Sequence, residues 1–162
     1  MLENIIRDEL NENNIPQTIT ISTLMGDREF RWDKAIYMPA GLSGFSDNNV
    51  FALANFPSEI SNSFKLLQCL TDPELAFIVA PYNTESGLIA HEDIDPLAAS
   101  HGIAQENLAI ILIITLQKAD GAQDVEMTVN LRAPILIDTN RQTAFQVRLN
   151  RPQYDFRHPL TV

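Results

Sequence analysis

Residues 108 to 116 read Leu108-Ala109-Ile110-Ile111-Leu112-Ile113-Ile114-Thr115-Leu116, apolar without a break as far as Ile114. Isoleucine is stiff at its branched Cβ and fits an extended, pleated chain. A run with no polar alternation is what a strand covered on both faces requires. It is also far too short to span a bilayer, which takes roughly 20 apolar residues. The stretch therefore reads as the central strand of a sheet with protein on either side.

Toward the C terminus the pattern changes to period two. Met127, Val129 and Leu131 fall on one side of an extended chain, with Thr128, Asn130 and Arg132 on the other, and Phe145, Val147 and Leu149 repeat the alternation. Between these segments stands Ala133-Pro134. Pro134 has no N–H to give a ladder, so it belongs at a strand start or a bulge. Toward the N terminus, apolar runs at 35–39, 49–55, 64–70 and 75–80 read as further strands. Ile19 and Ile21, then Phe30 and Trp32, flank Gly26-Asp27 and predict a β-hairpin turning there.

Helical signals are few. Asp95 as N-cap, Pro96 at the first helical position and Gly102 just past the end predict one helix, with Glu92 and Asp93 ahead of it complementing its dipole. Leu2, Ile5, Ile6 and Leu10 recur at helical spacing, so residues 2 to 12 read either as an amphipathic helix or as a frayed tail. The expectation is nine or ten strands with one or two short helices: a mainly β, single-domain, antiparallel barrel-like fold, since closure removes exposed edges. Residues 1–16 form an N-terminal extension and 17–162 the barrel domain.

Composition limits the function. The chain has 162 residues, 45% of them hydrophobic, enough for one domain with a true core. Eleven basic against 21 acidic residues give a net charge of -10, which repels DNA and RNA and argues against direct nucleic-acid binding. An acidic body can attract a basic protein instead. The charge is uneven: residues 1 to 126 hold six basic and 19 acidic side chains, whereas 127 to 162 hold five arginines and two aspartates. Folding either preserves that basic segment as a patch or interleaves it with acids. Met1 to Leu10 lacks the basic start and apolar core of a secretion signal, no Asn-x-Ser/Thr sequon occurs, and Cys69 has no second cysteine to pair with. A cytoplasmic protein with no membrane segment is the expectation.

No constellation of catalytic residues emerges. His91, His101 and His158 fit no metal-ligand spacing, and the acidic stretch from His91 to Asp95 is better explained as a helix start than as a cation site. Ser43, in Gly41-Leu42-Ser43-Gly44, lacks the Gly-x-Ser-x-Gly spacing of a nucleophile elbow and reads as a turn. Cys69 sits in an apolar strand with no basic neighbour to lower its pKa, so it reads as a core thiol. Neither GxxxxGK[ST] nor GxGxxG is present. The expectation is no enzyme, no cofactor and no metal.

Four stretches carry a resemblance: YMPAGLSGF (Tyr37 to Phe45), FKLLQCLTDPELAFIV (Phe64 to Val79), MTVNLRAPILID (Met127 to Asp138) and YDFRHPL (Tyr154 to Leu160). In this order and spacing, covering about residues 17 to 160, the chain resembles the FliW family of flagellar assembly factors. Cys69 stands where that family more often has a small polar residue, Asp138 where asparagine is common, and the extension at 1–16 is long. The resemblance implies a non-catalytic protein that binds flagellin in the cytoplasm and, when freed by flagellin secretion, binds the translational repressor CsrA and lifts repression of flagellin synthesis. Within the matched stretches, Gln68, Asp72, Asn130, Arg132 and Arg157 are the polar groups expected to face outward and meet a partner. A second reading from another class is a small β-barrel carrying an apolar ligand. The scarcity of aromatics, 7% of residues, and the branched aliphatics at inward positions favour a packed interior.

Overall fold

The computed structural model describes residues 17–55, 63–118, 121 and 125–160; the helix or tail expected over 2 to 12 lies outside them. The strands are β1 (Thr18–Thr23), β2 (Gly26–Arg31), β3 (Ile36–Tyr37), β4 (Val50–Asn55), β5 (Lys65–Cys69), β6 (Ala76–Pro81), β7 (Leu108–Lys118), β8 (Val125–Val129), β9 (Ile135–Asp138), β10 (Thr143–Gln146) and β11 (His158–Pro159). One α-helix, α1 (His91–Ser100), is inserted between β6 and β7.

The isoleucine-rich run is β7, and the molecule closes around it. One edge pairs with β6, from Pro81 opposite Ile111 to Ile78 opposite Ile114. The other edge is divided: Leu108 to Ile111 pairs with β9, and Ile114 to Lys118 with β8. The ring runs β7-β6-β5-β4-β3-β10-β9 and returns to β7, with β8 and β11 appended at the far end of β7. Closure is not wholly antiparallel as expected, because β10 meets β3 in parallel at Thr143 and Tyr37.

Alternation along β7 sends its side chains into two layers. Ile111 joins Phe51, Leu67, Cys69, Val79, Ile135, Ile137 and Ala144 in one buried cluster, with Ala109 and Ile113 packed against it; this is the barrel interior. Ile110, Leu112 and Ile114 join Ile94 and Ala98 of α1 together with Val129, Leu131, Val147 and Leu149 in a second cluster outside the barrel wall. The strand is thus covered on both faces, as its composition predicts. Each fully buried aliphatic side chain contributes about 1.5 to 3 kcal/mol. The alternating Met127, Val129, Leu131 and Phe145, Val147, Leu149 sets all reach this outer layer.

The hairpin forms, but its tip is Leu24-Met25 rather than Gly26-Asp27, with Gly26 paired to Thr23. Thr23 fixes this register: its hydroxyl donates to the Gly26 carbonyl at 2.7 Å and accepts from the Met25 N–H at 3.1 Å. Ile21 and Phe30 from the hairpin then cover the outer wall at Ala52 and Leu70. Pro134 falls immediately before β9, as a residue without an N–H should.

Helix α1 begins at His91, ahead of the expected Asp95-Pro96 start, and carries Pro96 within it. Its end is as expected. Gly102, at φ 72°, donates to the Ala99 carbonyl at 3.0 Å, and Ile103 donates to Ala98 at 2.9 Å. This pair of bonds is the Schellman cap that a left-handed glycine permits.

Candidate partner-binding surface

The five residues singled out from the sequence have different fates. Gln68 does not face a partner as expected: it is buried, at 0% exposure, opposite Ala52 on the outer face of the wall, with its side chain folded against the turn after β5. Its Nε2, with two hydrogens to give, lies within reach of the carbonyls of Cys69 (2.9 Å) and of Asp72, Pro73 and Leu75 (each 3.2 Å), so it props the turn from inside. Asp72 is half-buried on that turn, where its Oδ1 accepts the Glu74 N–H at 3.1 Å.

Asn130 lies beyond the end of β8 rather than on the strand. Its Oδ1 accepts from the N–H groups of Arg132 and Ala133, both at 3.0 Å, and this local bond competes with ladder pairing and bends the chain toward Pro134. Arg132 is half-buried, with its Nε donating to the Tyr154 carbonyl at 2.9 Å. Arg157 is exposed, and its backbone N–H is held by Asp155 at 3.1 Å. Arg132 and Arg157 therefore share the C-terminal edge of the molecule, while Asp72 and Gln68 belong to the β5–β6 turn.

Two arrangements that local sequence reading missed also involve this edge. The first explains the early start of α1. Ala90, its N-cap residue, has no capping side chain of its own; the buried hydroxyl of Tyr154 accepts the Ala90 N–H at 3.0 Å and donates to the Asp93 carboxylate. Asp93, in the first helical turn, is also paired with Arg151 at 2.7 Å. A cap supplied from 64 residues away leaves no local signal. Burial, then the hydrogen bond to Asp93, pushes the Tyr154 phenol above its ordinary 10.0. The folded chain therefore keeps a proton that the unfolded chain releases above pH 10.0, and stability should fall as pH rises from there through the folded value. Tyr154→Phe should cost about 1 to 2 kcal/mol in urea unfolding at pH 7 and flatten that alkaline decline; an undiminished decline would place its origin elsewhere.

The second is the placement of Phe156, which is 45% exposed, beneath two guanidinium groups: that of Arg132 at 5.1 Å from the ring centre and that of Arg148 at 5.7 Å. Arg148 stands between the buried Val147 and Leu149, so alternation alone could have placed it outward.

Elsewhere the chemistry is quiet. Cys69 is buried at 0% exposure in the barrel interior, beside Asn48 and Thr71. Ser43 is exposed in its turn, its backbone N–H donated to Gln146. Among the described residues no three His, Cys, Asp or Glu side chains gather as metal ligands, and no helix is long and apolar enough to cross a membrane. A cleft of about 340 Å³ lies beside the start of α1, with Ile89, Ile94 and Ile110 in its lining and His91, Asp95 and Gln105 also bordering it.

The site and fold together define a packed β-barrel with a docked helix and hairpin, whose distinctive polar groups lie on the outer surface. The sequence model of the FliW protein family matches residues 19–160. A flagellar assembly factor FliW from Oceanobacillus iheyensis is 30% identical over 134 residues, 82% of this chain and 87% of the relative. One from Natranaerobius thermophilus is 31% identical over 137 residues, 83% and 87% of the two chains. A crystal structure of the flagellar assembly factor FliW superposes with a TM-score of 0.68 at 25% identity, covering 89% of this chain and 98% of that one. The chain belongs to the FliW family of flagellar assembly factors.

Proposed function

We propose that this chain acts in the cytoplasm by binding flagellin and, when flagellin leaves, by binding and antagonising the translational repressor CsrA, so coupling flagellin synthesis to its secretion. The observation that carries a binding role, beyond the family, is the filled barrel. Phe51, Leu67, Cys69, Val79, Ile135 and Ile137 occupy its interior at exposures no greater than 6%, and none of these six lines the described cleft beside α1. Such an interior favours an outer surface that does the work and disfavours the apolar-ligand carrier.

Of the residues expected at the interface, Arg132 and Arg157 are those we carry forward; Asn130 shapes the turn that leads into Arg132, and Asp72 shapes the separate turn between β5 and β6. Gln68 offers no surface to a partner. Arg157 is the cleaner probe, because Arg132 also holds the Tyr154 carbonyl. Arg157→Ala should weaken at least one of the two complexes by about 1 to 2 kcal/mol while moving folding stability by less than about 0.5 kcal/mol. Calorimetric titration of the variant against flagellin and against CsrA decides it: unchanged affinity for both removes Arg157 from the interface.

A further inference from the structure

We propose that Arg132, Arg148 and Phe156, flanked by Arg157, form a platform that recognises an acidic segment of a protein, seating its carboxylates against the guanidinium groups over the Phe156 ring. The proposal rests on reading the chain as a partner-binding protein and adds the chemistry of what this one surface takes.

Backbone pairing builds the platform. Leu149 donates to the Arg132 carbonyl at 2.7 Å, and Leu131 donates to the Asp155 carbonyl at 2.9 Å, so residues 131–132 lie between the segments around 148 and 155. Leu131, Leu149 and Tyr154 turn inward, at 2%, 3% and 2% exposure. Arg132 and Arg148, next to Leu131 and Leu149, therefore turn outward, where the exposed Phe156 ring meets both. Arg132 is fixed by its bond to the Tyr154 carbonyl, and both guanidinium groups lie within cation–π reach of one ring.

The charges are unspent. The chain carries 21 acidic against 11 basic residues, yet no carboxylate among the described residues lies within 4.0 Å of the guanidinium nitrogens of Arg132, Arg148 or Arg157; the ion pairs are Arg31–Asp33 and Arg151–Asp93. The nearest acid in sequence, Asp155, directs its Oδ1 to the backbone N–H of Arg157. Two like charges against one ring repel, and an arriving anion relieves that repulsion. The planar guanidinium fork matches a carboxylate bidentately, and stacking on an aromatic face orients it in advance. The exposed ring adds apolar contact for the methylenes of a glutamate.

A protein segment fits better than a nucleic acid. The net charge of -10 opposes a long phosphate polymer, whereas a short acidic segment sets few charges against the acidic body beyond the platform.

The test is an NMR titration of the isotopically labelled full chain with hexaglutamate, with hexaglutamine and a hexathymidylate oligonucleotide as parallel probes. Hexaglutamate should move the Nε–H signals of Arg132, Arg148 and Arg157 and the amide of Phe156, and hexaglutamine should not. Arg148→Gln, at an exposed position, should keep the native spectrum and weaken hexaglutamate at least about fivefold; Phe156→Leu should weaken it as well. Equal response to hexaglutamine, shifts centred elsewhere, or unchanged affinity in Arg148→Gln would overturn the proposal. Tighter binding of the oligonucleotide would overturn it in favour of a nucleic-acid surface. Flagellin and CsrA take no part in this titration, so failure of the functional reading and failure of the platform are separately visible.

Discussion

Gly41→Ala should destabilise the fold by about 3 kcal/mol or more, the largest loss expected from adding a methyl group to any of its glycines. Gly41 sits at φ +65°, and a Cβ there would lie 2.3 Å from the Phe45 carbonyl oxygen and 2.8 Å from the Ser46 Cα. Both obstacles are backbone, so no rotamer change relieves them. They belong to the turn that leads from β3 to β4, where Met38 donates to the Asn49 carbonyl at 2.7 Å and the Asn49 side chain returns a bond to Met38 at 2.8 Å. Gly44, in the same turn, is the control: its φ is +85° but nothing lies within 4 Å of its added Cβ. Gly44→Ala should cost only about 1 kcal/mol, the conformational share alone. Urea unfolding of the two variants separates space from conformation. Equal losses would mean that the close approach to Phe45 is not what demands glycine at 41.

Gln68→Ala should cost about 2 kcal/mol: the lost buried side chain and its Nε2 bonds to the turn outweigh the relief of its Oε1, which is buried with no partner among the described residues. Its amide sits among four carbonyls between Cys69 and Leu75. Denaturant unfolding measures the loss directly. A stability change under about 1 kcal/mol, together with weaker partner binding, would restore Gln68 to the surface role that its sequence position suggests.

Gln68 also shows where sequence reading stops. Alternation with Leu67 and Cys69 correctly sends it out of the barrel, but a local pattern says nothing of a second layer brought by Ile21 and Phe30 from distant β1 and β2. The same limit governs α1. Asp95-Pro96 is a sound start signal, yet the chain begins its helix at His91 because Tyr154 supplies the missing cap. Asn130 and Arg132 follow the alternation of β8 on paper, but the Asn130 side chain takes two backbone donors and ends the strand first. By contrast, β7 is legible because burial on both faces must be written into every one of its central residues. The end of α1 is legible because its cap is local, at Gly102. Arg148 and Phe156 are near neighbours only through the pairing of 131–132 with both flanking segments, a long-range fact that spacing does not carry.

The proposed function places flagellin and CsrA on the outer surface of this packed barrel. Size-exclusion chromatography of the chain mixed with flagellin, with CsrA, and with both, all from the same organism, tests it most directly. A complex with each protein alone is the expected result and, in the three-component mixture, flagellin should hold the chain while CsrA elutes free. Elution of the chain at its own volume in every mixture would contradict it.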